Sequence, residues 1–491
     1  MKKYLILSII SVFLLASCDS FLDVNTDPNN PVEVSPDLIL PVAQTYSATY
    51  NLGNRRTNHL GNMLMYNWGE THGFSWYDEE FKYLVTPTFY NQLFEQAYNL
   101  SLKQYSDLDE LSAEYGYYTA ISKIMKSYHY QILVDLYGDV PYSEAVMRGE
   151  LPTPKYDDAK EIYMDLIAQL TAAIELIDTT SELAIINSPA SDDVMFGGDM
   201  DKWKQFANTV KLRILNRMSG VVDITSEIAV ITAEGSGYIT EDVVVQPGYL
   251  NEEGKQNPYW AALGYSVDEN VTMTNDATCA TQFILDRLTT TNDPRLGYIY
   301  EEPETGHLGI EQGESTDDSQ GAKFVSNIGP GHLKAATMDA PIFTLAESYF
   351  NQAEVALNGF GGDAEALYNA GVQASFDYLG VLVDPSDPDS DPLDATSYLS
   401  QEVNNISYAS SSEKLEAIIT QKWLALNGVD AIQSWFDYNR TGYPLNLPVS
   451  LLTVKDDRPV RLAYPSSEIT GNGDNVPNQP DVFTSKIFWA N

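Results

Sequence analysis

The sequence predicts a mainly α protein: a tetratricopeptide-like helical-repeat scaffold with a loop-rich insertion carrying short strands. Apolar residues recur at helical spacing over long stretches toward both ends of the 491-residue chain. Between about 221 and 340 the texture changes, with Gly, Thr, Asn and Asp frequent. Finally, the segments 342–357 and 363–379 are joined by NGFGG at 358–362, and Ala346, Ala353, Ala356, Ala366 and Ala370 allow two helices to approach closely. One such hairpin has the form of a tetratricopeptide pair. No strict 34-residue period recurs, so the repeats read as degenerate.

The first helix is expected from Pro36, with Leu38, Ile39, Val42, Ala43 and Tyr46 as its apolar set and Pro41 as an alternative first turn. A second is expected over Phe89–Leu102, and a third over about Ala113–Tyr137. The stripe Tyr117, Ile121, Ile124, Met125, Tyr128, Ile132 and Leu136 defines the third, and Gly138 is its stop. Asp157–Ile177 has acids in its first turn, and 201–219 follows with Trp203, Phe206, Val210, Ile214 and Met218. In the central block only Val243–Val245 and Lys323–Ser326 have the pattern of strands. Helical pattern returns in Ile342–Leu357, Ala364–Leu379 and Glu413–Phe436, before an irregular, Pro-rich tail.

The leader MKKYLILSIISVFLLASC places Lys2 and Lys3 before an apolar run too short to span a bilayer, then Ala16, Ser17 and Cys18. This is the layout of a cleaved signal peptide, residues 1–17, followed by a lipobox cysteine. Cys18 would carry a diacylglycerol, with a further acyl chain such as palmitate on the new amine, and more than one chain anchors a protein stably. Residues 18–35, rich in Asp, Asn and Pro, then form the tether, and 36–491 a single domain. Within it the helical scaffold occupies about 36–220 and 341–440, and the loop-rich insertion about 221–340.

Cleavage removes two lysines, taking the formal charge from -41 to -43. So acidic a surface repels phosphates and excludes a nucleic-acid function. Once Cys18 is acylated, Cys279 has no partner, so an exported fold is held by its core, which 44% hydrophobic residues can supply. Tyrosine is abundant, at 32 residues. It suits sugar or peptide recognition and equally serves as helix-packing material.

Five separated motifs carry a family signal: LVDLYGDVPYSEA at 133–145, NDPR at 292–295, ESYFNQAE at 347–354, QKWLALNG at 421–428 and WFDYNRTGYP at 435–444. With the lipobox, they resemble the SusD/RagB family of nutrient-binding outer-membrane lipoproteins, in its SusD-like subgroup. The resemblance covers essentially the whole mature chain. It implies a tetratricopeptide-like scaffold, an outer-membrane location facing the exterior, and a role as the lid of a SusC-like TonB-dependent transporter. Within the motifs, Asp139, Arg440 and Trp423 lie at helix ends or in helical stripes, where capping, ion pairing and packing account for them.

Ligand chemistry is expected in loops, where aromatic faces stack on sugar C–H surfaces and planar polar groups bond hydroxyls. The segment YNWGETHGFSWY at 66–77 gives Tyr66, Asn67, Trp68, Trp76 and Tyr77 as first candidates, with Phe74, Glu70 and His72 among them. The resemblance implies that the ligand face also draws on the loop-rich insertion, about 221–340, where NPYWAALGY at 257–265 gives Tyr259, Trp260 and Tyr265. The ligand is an oligosaccharide or a peptide. Asp387, Asp389 and Asp391 alternate like a calcium loop but lack its glycine and bidentate glutamate, so no cofactor is expected beyond a structural calcium there. The chain has no H-E-x-x-H, G-x-S-x-G or P-loop. A glycosidase using two carboxylates has no sequence signature, but the strand–helix alternation of a barrel hydrolase is missing. A non-catalytic binding lipoprotein is therefore the expectation, with an exported glycoside hydrolase as its rival.

Overall fold

The computed structural model describes residues 34–109, 111–147 and 151–490. The signal peptide, Cys18 and nearly all of the tether lie outside the described residues. Helix α1 (Pro36–Leu52) begins at Pro36, whose missing N–H costs nothing in a first turn, and it runs through Pro41. The alternative start at Pro41 is thus corrected. Gly53 closes the helix by donating its N–H to Thr49 O at 2.9 Å. Helix α2 (Thr57–Leu64), which periodicity did not foretell, is buried along its whole length.

The helix expected at 89–102 runs unbroken over 92–106, its α-helical ends Gln92–Gln96 and Lys103–Ser106 joined by a π-helical piece, Ala97–Leu102. Next comes α3 (Gly116–Tyr137), stopped by Gly138, which sits at φ 77 and returns its N–H to Val134 O. Strand β1 (Trp68–Glu70) precedes these pieces, and β2 (Val140–Pro141) pairs with β3 (Tyr156–Asp157) to turn the chain into α4 (Ala159–Ser181). Asp158 caps α4 through Lys160 and Glu161 N–H groups. Helices α3 and α4 form a hairpin so close that a Cβ on Gly116 would meet Thr180 Oγ1 at 2.1 Å. Helix α5 (Met200–Met218), capped by Asp199, packs on both.

The central block is more helical than its composition suggests. It holds α6 (Thr225–Glu234), α7 (Pro258–Leu263) and α8 (Gln282–Thr290), with β4 (Val243–Val245) and β5 (Thr278–Ala280). The strand expected at Lys323–Ser326 is a 3-10 turn, Ala322–Phe324, because Phe324 N–H reaches back to Gly321 O. Strand β6 (Ala340–Phe343) takes the start of the segment expected to be helical from 342, pairing antiparallel with β4. Helix α9 (Leu345–Leu357) then begins after the Thr344 cap.

Helices α9 and α10 (Ala364–Leu379) make the anticipated hairpin, with Gly371 facing the Phe350 ring. The single helix expected over 413–436 is two, α11 (Lys414–Leu426) and α12 (Ala431–Thr441), divided at Gly428, which sits at φ 84. A short helix, Ser466–Gly471, interrupts the tail. Helices α5, α9, α11 and α12 meet around a buried ionic cluster. Asp437 pairs with Arg217 at 2.9 Å and Lys422 at 2.8 Å, and Arg440 grips Glu354. Burial alone would raise the Asp437 carboxyl, but Lys422, Arg217 and Arg440 hold it well below the usual range.

Candidate functional site

Helix α2 ends at Leu64 with Met65 as its cap, and Tyr66, at φ 60, swings the chain into β1. Asn67 is tied down on several sides: its side chain donates to Asn62 Oδ1 at 2.9 Å, and its carbonyl accepts from Thr281 N and Tyr300 Oη. Trp68 pairs with Ala280 of β5 and is fully buried, its ring 5.5 Å from that of His59. The Tyr77 hydroxyl meets Thr278 Oγ1 at 2.7 Å, again in the interior. Four of the first candidates, Tyr66, Asn67, Trp68 and Tyr77, are therefore corrected from ligand contacts to framework, since side chains without solvent access cannot touch an arriving ligand.

What the loop exposes is Trp76, 41% accessible, packed edge-on against half-buried Phe74 with ring centroids 5.1 Å apart. The backbone behind Trp76 is fastened. Glu70 Oε1 accepts from the N–H groups of Trp76 and Tyr77, and Arg55 Nη1 donates to Trp76 O at 3.3 Å. Arg55 also pairs with buried Glu80, which accepts from Tyr90 Oη. Burial pushes the Glu70 and Glu80 carboxyls up and holds His59, beneath the loop, down at about 3. His72 bonds Thr316 Oγ1 at 3.1 Å, joining the loop to residues 316–320.

On α7, Asn257 caps the helix through Tyr259 and Trp260 N–H groups, and Pro258 fills its first turn. Tyr259 is buried, another correction, whereas Trp260 and Tyr265 are half-buried with rings 5.3 Å apart. Hydrogen bonds link the two segments: Thr272 bonds Ala262 O and Gly264 O, Asp276 N–H reaches Thr272 O, and Thr71 bonds Asp276 O and Ala277 O. The fasteners Arg55, Glu80 and Thr278 escaped sequence reasoning, their only signal being basic Arg55 beside an acidic, aromatic stretch.

The alternating aspartates serve their own turn. Asp384 accepts from Ser386 N, and Asp387 from Asp389 N. Among the described residues no group of three His, Cys, Asp or Glu could hold a metal ion, which corrects the calcium candidate. Asp139 accepts the Ala159 N–H at 2.9 Å, and Trp423 is core. Among the described residues no helix is long and apolar enough to cross a membrane.

Rigidly held aromatic rings beside polar loops, with Trp76 open to solvent, form a surface that can bind a ligand. Three solved structures superpose along almost the whole chain. A chitin-binding protein is 23% identical, with a TM-score of 0.71 over 93% of this chain and 100% of that one. A chitin-binding SusD homolog from Flavobacterium johnsoniae is 22% identical, at 0.70 over 92% and 96%. A SusD homolog from Bacteroides uniformis is 23% identical, at 0.70 over 92% and 99%. At these identities the likeness shows the fold, a mainly helical SusD-like one. Among curated proteins none matches. The SusD-like_2 family model, described as starch-binding and associating with the outer membrane, matches residues 28–465, and the chain belongs to that family.

Proposed function

We propose that this protein is a non-catalytic capture lipoprotein. It holds oligosaccharides against the Phe74–Trp76 and Trp260–Tyr265 surfaces and delivers them, as a lid, to a SusC-like TonB-dependent transporter. Cys18 carries the lipid that anchors it in the outer membrane facing the exterior, residues 18–35 are the tether, and 36–491 act as one ligand-binding body. The observation that carries this reading is the fixing of Trp76. Its main chain is held from both sides by Glu70 and Arg55 while its indole stays open to solvent. A ring presented in that way loses little entropy when a sugar stacks on it.

Because related structures bear chitin-binding names and the family is described as starch-binding, N-acetylchitohexaose and maltoheptaose are the first probes. Calorimetry is expected to find binding of at least one, without release of shorter products, and Trp76→Ala is expected to weaken it about tenfold. Hydrolysis abolished by changing one carboxylate would replace this reading with the glycosidase one. Binding of peptides and of neither glycan would move the ligand class to peptides. The transporter is expected to co-purify in mild detergent; recovery of free lipoprotein alone, with the transporter expressed, would refute the lid role.

A further inference from the structure

The ionic network where α5, α9, α11 and α12 meet balances its own charges. Its cations are Arg213 and Arg217 on α5, Lys422 on α11 and Arg440 on α12. Its carboxylates are Asp135 on α3, Glu347 and Glu354 on α9, and Asp437 on α12. Each of these side chains is at most 9% accessible and lies within 4.0 Å of an opposite charge. Four positive charges therefore face four negative ones, and the network has no cation to spare for a further carboxylate.

Asp430, in the turn between α11 and α12, is a fifth carboxylate. It is 4% accessible, has no ion pair among the described residues, and its Oδ2 is buried without a hydrogen-bond donor. The groups that face it are Glu347 from α9, Arg213 and Arg217 from α5, Lys422 from α11 and Tyr128 from α3. The three cations are already spent on Asp135, Glu347 and Asp437. His332, against Gly428 in the same turn, is kept neutral by burial, with its pKa down at about 3. Burial, and after it the Glu347 charge, push the Asp430 carboxyl up to about 8, and the three cations only partly offset this. The turn is also tied to the aromatic loop. Asn62 Oδ1 accepts Gly428 N–H at 3.1 Å and Asn67 Nδ2 at 2.9 Å, and Asn58 Oδ1 accepts the N–H of Ala431, next to Asp430, at 3.2 Å.

We propose that Asp430 is a buried carboxylic acid at neutral pH, and that release of its proton to water in alkali is a switch that opens the α11–α12 turn and loosens α2 with the loop that follows it. An ionised Asp430 adds a fifth negative charge to a dry, balanced network. A buried charge without a partner is relieved by letting water in. Opening the turn admits that water and breaks the bonds to Asn58 and Asn62, so Asn67 loses support. The proton itself is independent of any ligand, whereas its consequence for glycan affinity rests on the proposed Trp76 surface.

Urea unfolding of the mature protein and of Asp430→Asn across neutral and alkaline pH tests the proton. Unfolded, Asp430 ionises at about 4; folded, it keeps its proton up to about 8, so the parent loses stability as pH rises through that window. From about pH 5 to about pH 7.5 the unfolding constant of the parent is expected to rise about tenfold per pH unit relative to that of Asp430→Asn, and above about pH 8.5 the gap is expected to stay constant. Hydrogen exchange read by mass spectrometry and corrected for the intrinsic rate tests the switch. Protection over 427–432 and 58–68 is expected to fall at least about fivefold between about pH 7 and about pH 9 in the parent, with α4 as the internal reference, and to hold in Asp430→Asn. If Asp430→Asn does not fold, Asp430→Ser takes its place, and the exchange profile of the parent needs no variant. A gap independent of pH below about pH 7.5, or protection in the parent unchanged up to about pH 9, would overturn the proposal. Maltoheptaose affinity is expected to follow the same pH profile; absence of glycan binding alongside the expected unfolding and exchange results supports the proton and refutes the Trp76 surface alone.

Discussion

Gly61 is where the framework behind the site is most sensitive, and Gly61→Ala is the sharpest test of the packing. A Cβ built there would lie 2.1 Å from Ile432 N and 2.2 Å from Ala431 C, main-chain atoms at the start of α12. Non-bonded heavy atoms settle at about 3.5 Å, so α2 and α12 would have to separate by about 1.4 Å. Backbone cannot rotate away as a side chain can. Three buried hydrogen bonds cross this contact: Asn58 Nδ2 to Gly428 O at 2.8 Å, Gly428 N to Asn62 Oδ1 at 3.1 Å and Ala431 N to Asn58 Oδ1 at 3.2 Å. A retreat of that size carries all three beyond reach, at about 1–3 kcal/mol for each group left unpaired.

Against this, alanine gains only about 1 kcal/mol over glycine in a helix. The net expectation is destabilisation on the order of 3 kcal/mol or more, read as a lower midpoint in urea with an unchanged slope. Gly297→Ala is the control, because a Cβ there meets nothing within 4 Å, and it is expected to be neutral or slightly stabilising. A Gly61→Ala protein with a midpoint at or above that of the parent would refute the close α2–α12 contact. It would also remove the ground for treating His59, on α2, as a fixed floor under Trp68 and Tyr77.

Three further outcomes are expected. Glu70→Ala removes the acceptor for Trp76 and Tyr77 N–H and is expected to weaken oligosaccharide binding about fivefold by freeing the Trp76 main chain; unchanged calorimetric affinity would show that Glu70 does not position the ring. His129 is fully buried against Ser47, and burial depresses its pKa to about 3, so the unfolded chain takes up its proton first, near 6.5. Its contribution is full above pH 6.5 and is lost as pH falls toward 3, about 2 kcal/mol between pH 7 and 5, so His129→Asn is expected to show a shallower pH dependence in urea melts. Asp437→Asn strips the partner from Arg217 and Lys422 and is expected to cost about 3–5 kcal/mol, whereas Asp78→Asn, at an exposed pair with Lys82, is expected to cost under about 1 kcal/mol.

Sequence periodicity read α3, α4, α5 and α10 well, because each has a continuous apolar stripe and a marked end, such as Gly138 or the Asp158 cap. It missed α2 for a physical reason. TNHLGNML has no polar face to contrast with an apolar one, since Asn58 and Asn62 are spent on the Gly428 turn rather than on solvent. The same turn hid the break between α11 and α12. Both helices are buried on nearly every side, and the polar residues of the join, Asn427 and Asp430, are buried with them, so no solvent-facing loop marks the break. Gly428 was the one local sign, and its meaning lay in its contact with a segment more than 360 residues away.

The site was legible as a place and not as a set of contacts. An aromatic-rich loop shows that rings gather there, but whether a ring faces solvent depends on partners far away in the chain. Trp68 is turned inward by pairing with Ala280, and Tyr77 by Thr278. Only Trp76 is left outside, beside Phe74. The buried candidates still bear on recognition, because a tryptophan on an unsupported loop would have to be ordered by its ligand, at about 1–2 kcal/mol of backbone entropy per residue fixed. Tyr66, Asn67, Trp68 and Tyr77 are held before any ligand arrives, so that cost falls on folding. Weakening them should therefore lower affinity without removing a single ligand contact, which is how framework residues in this loop can be told from rings that touch sugar.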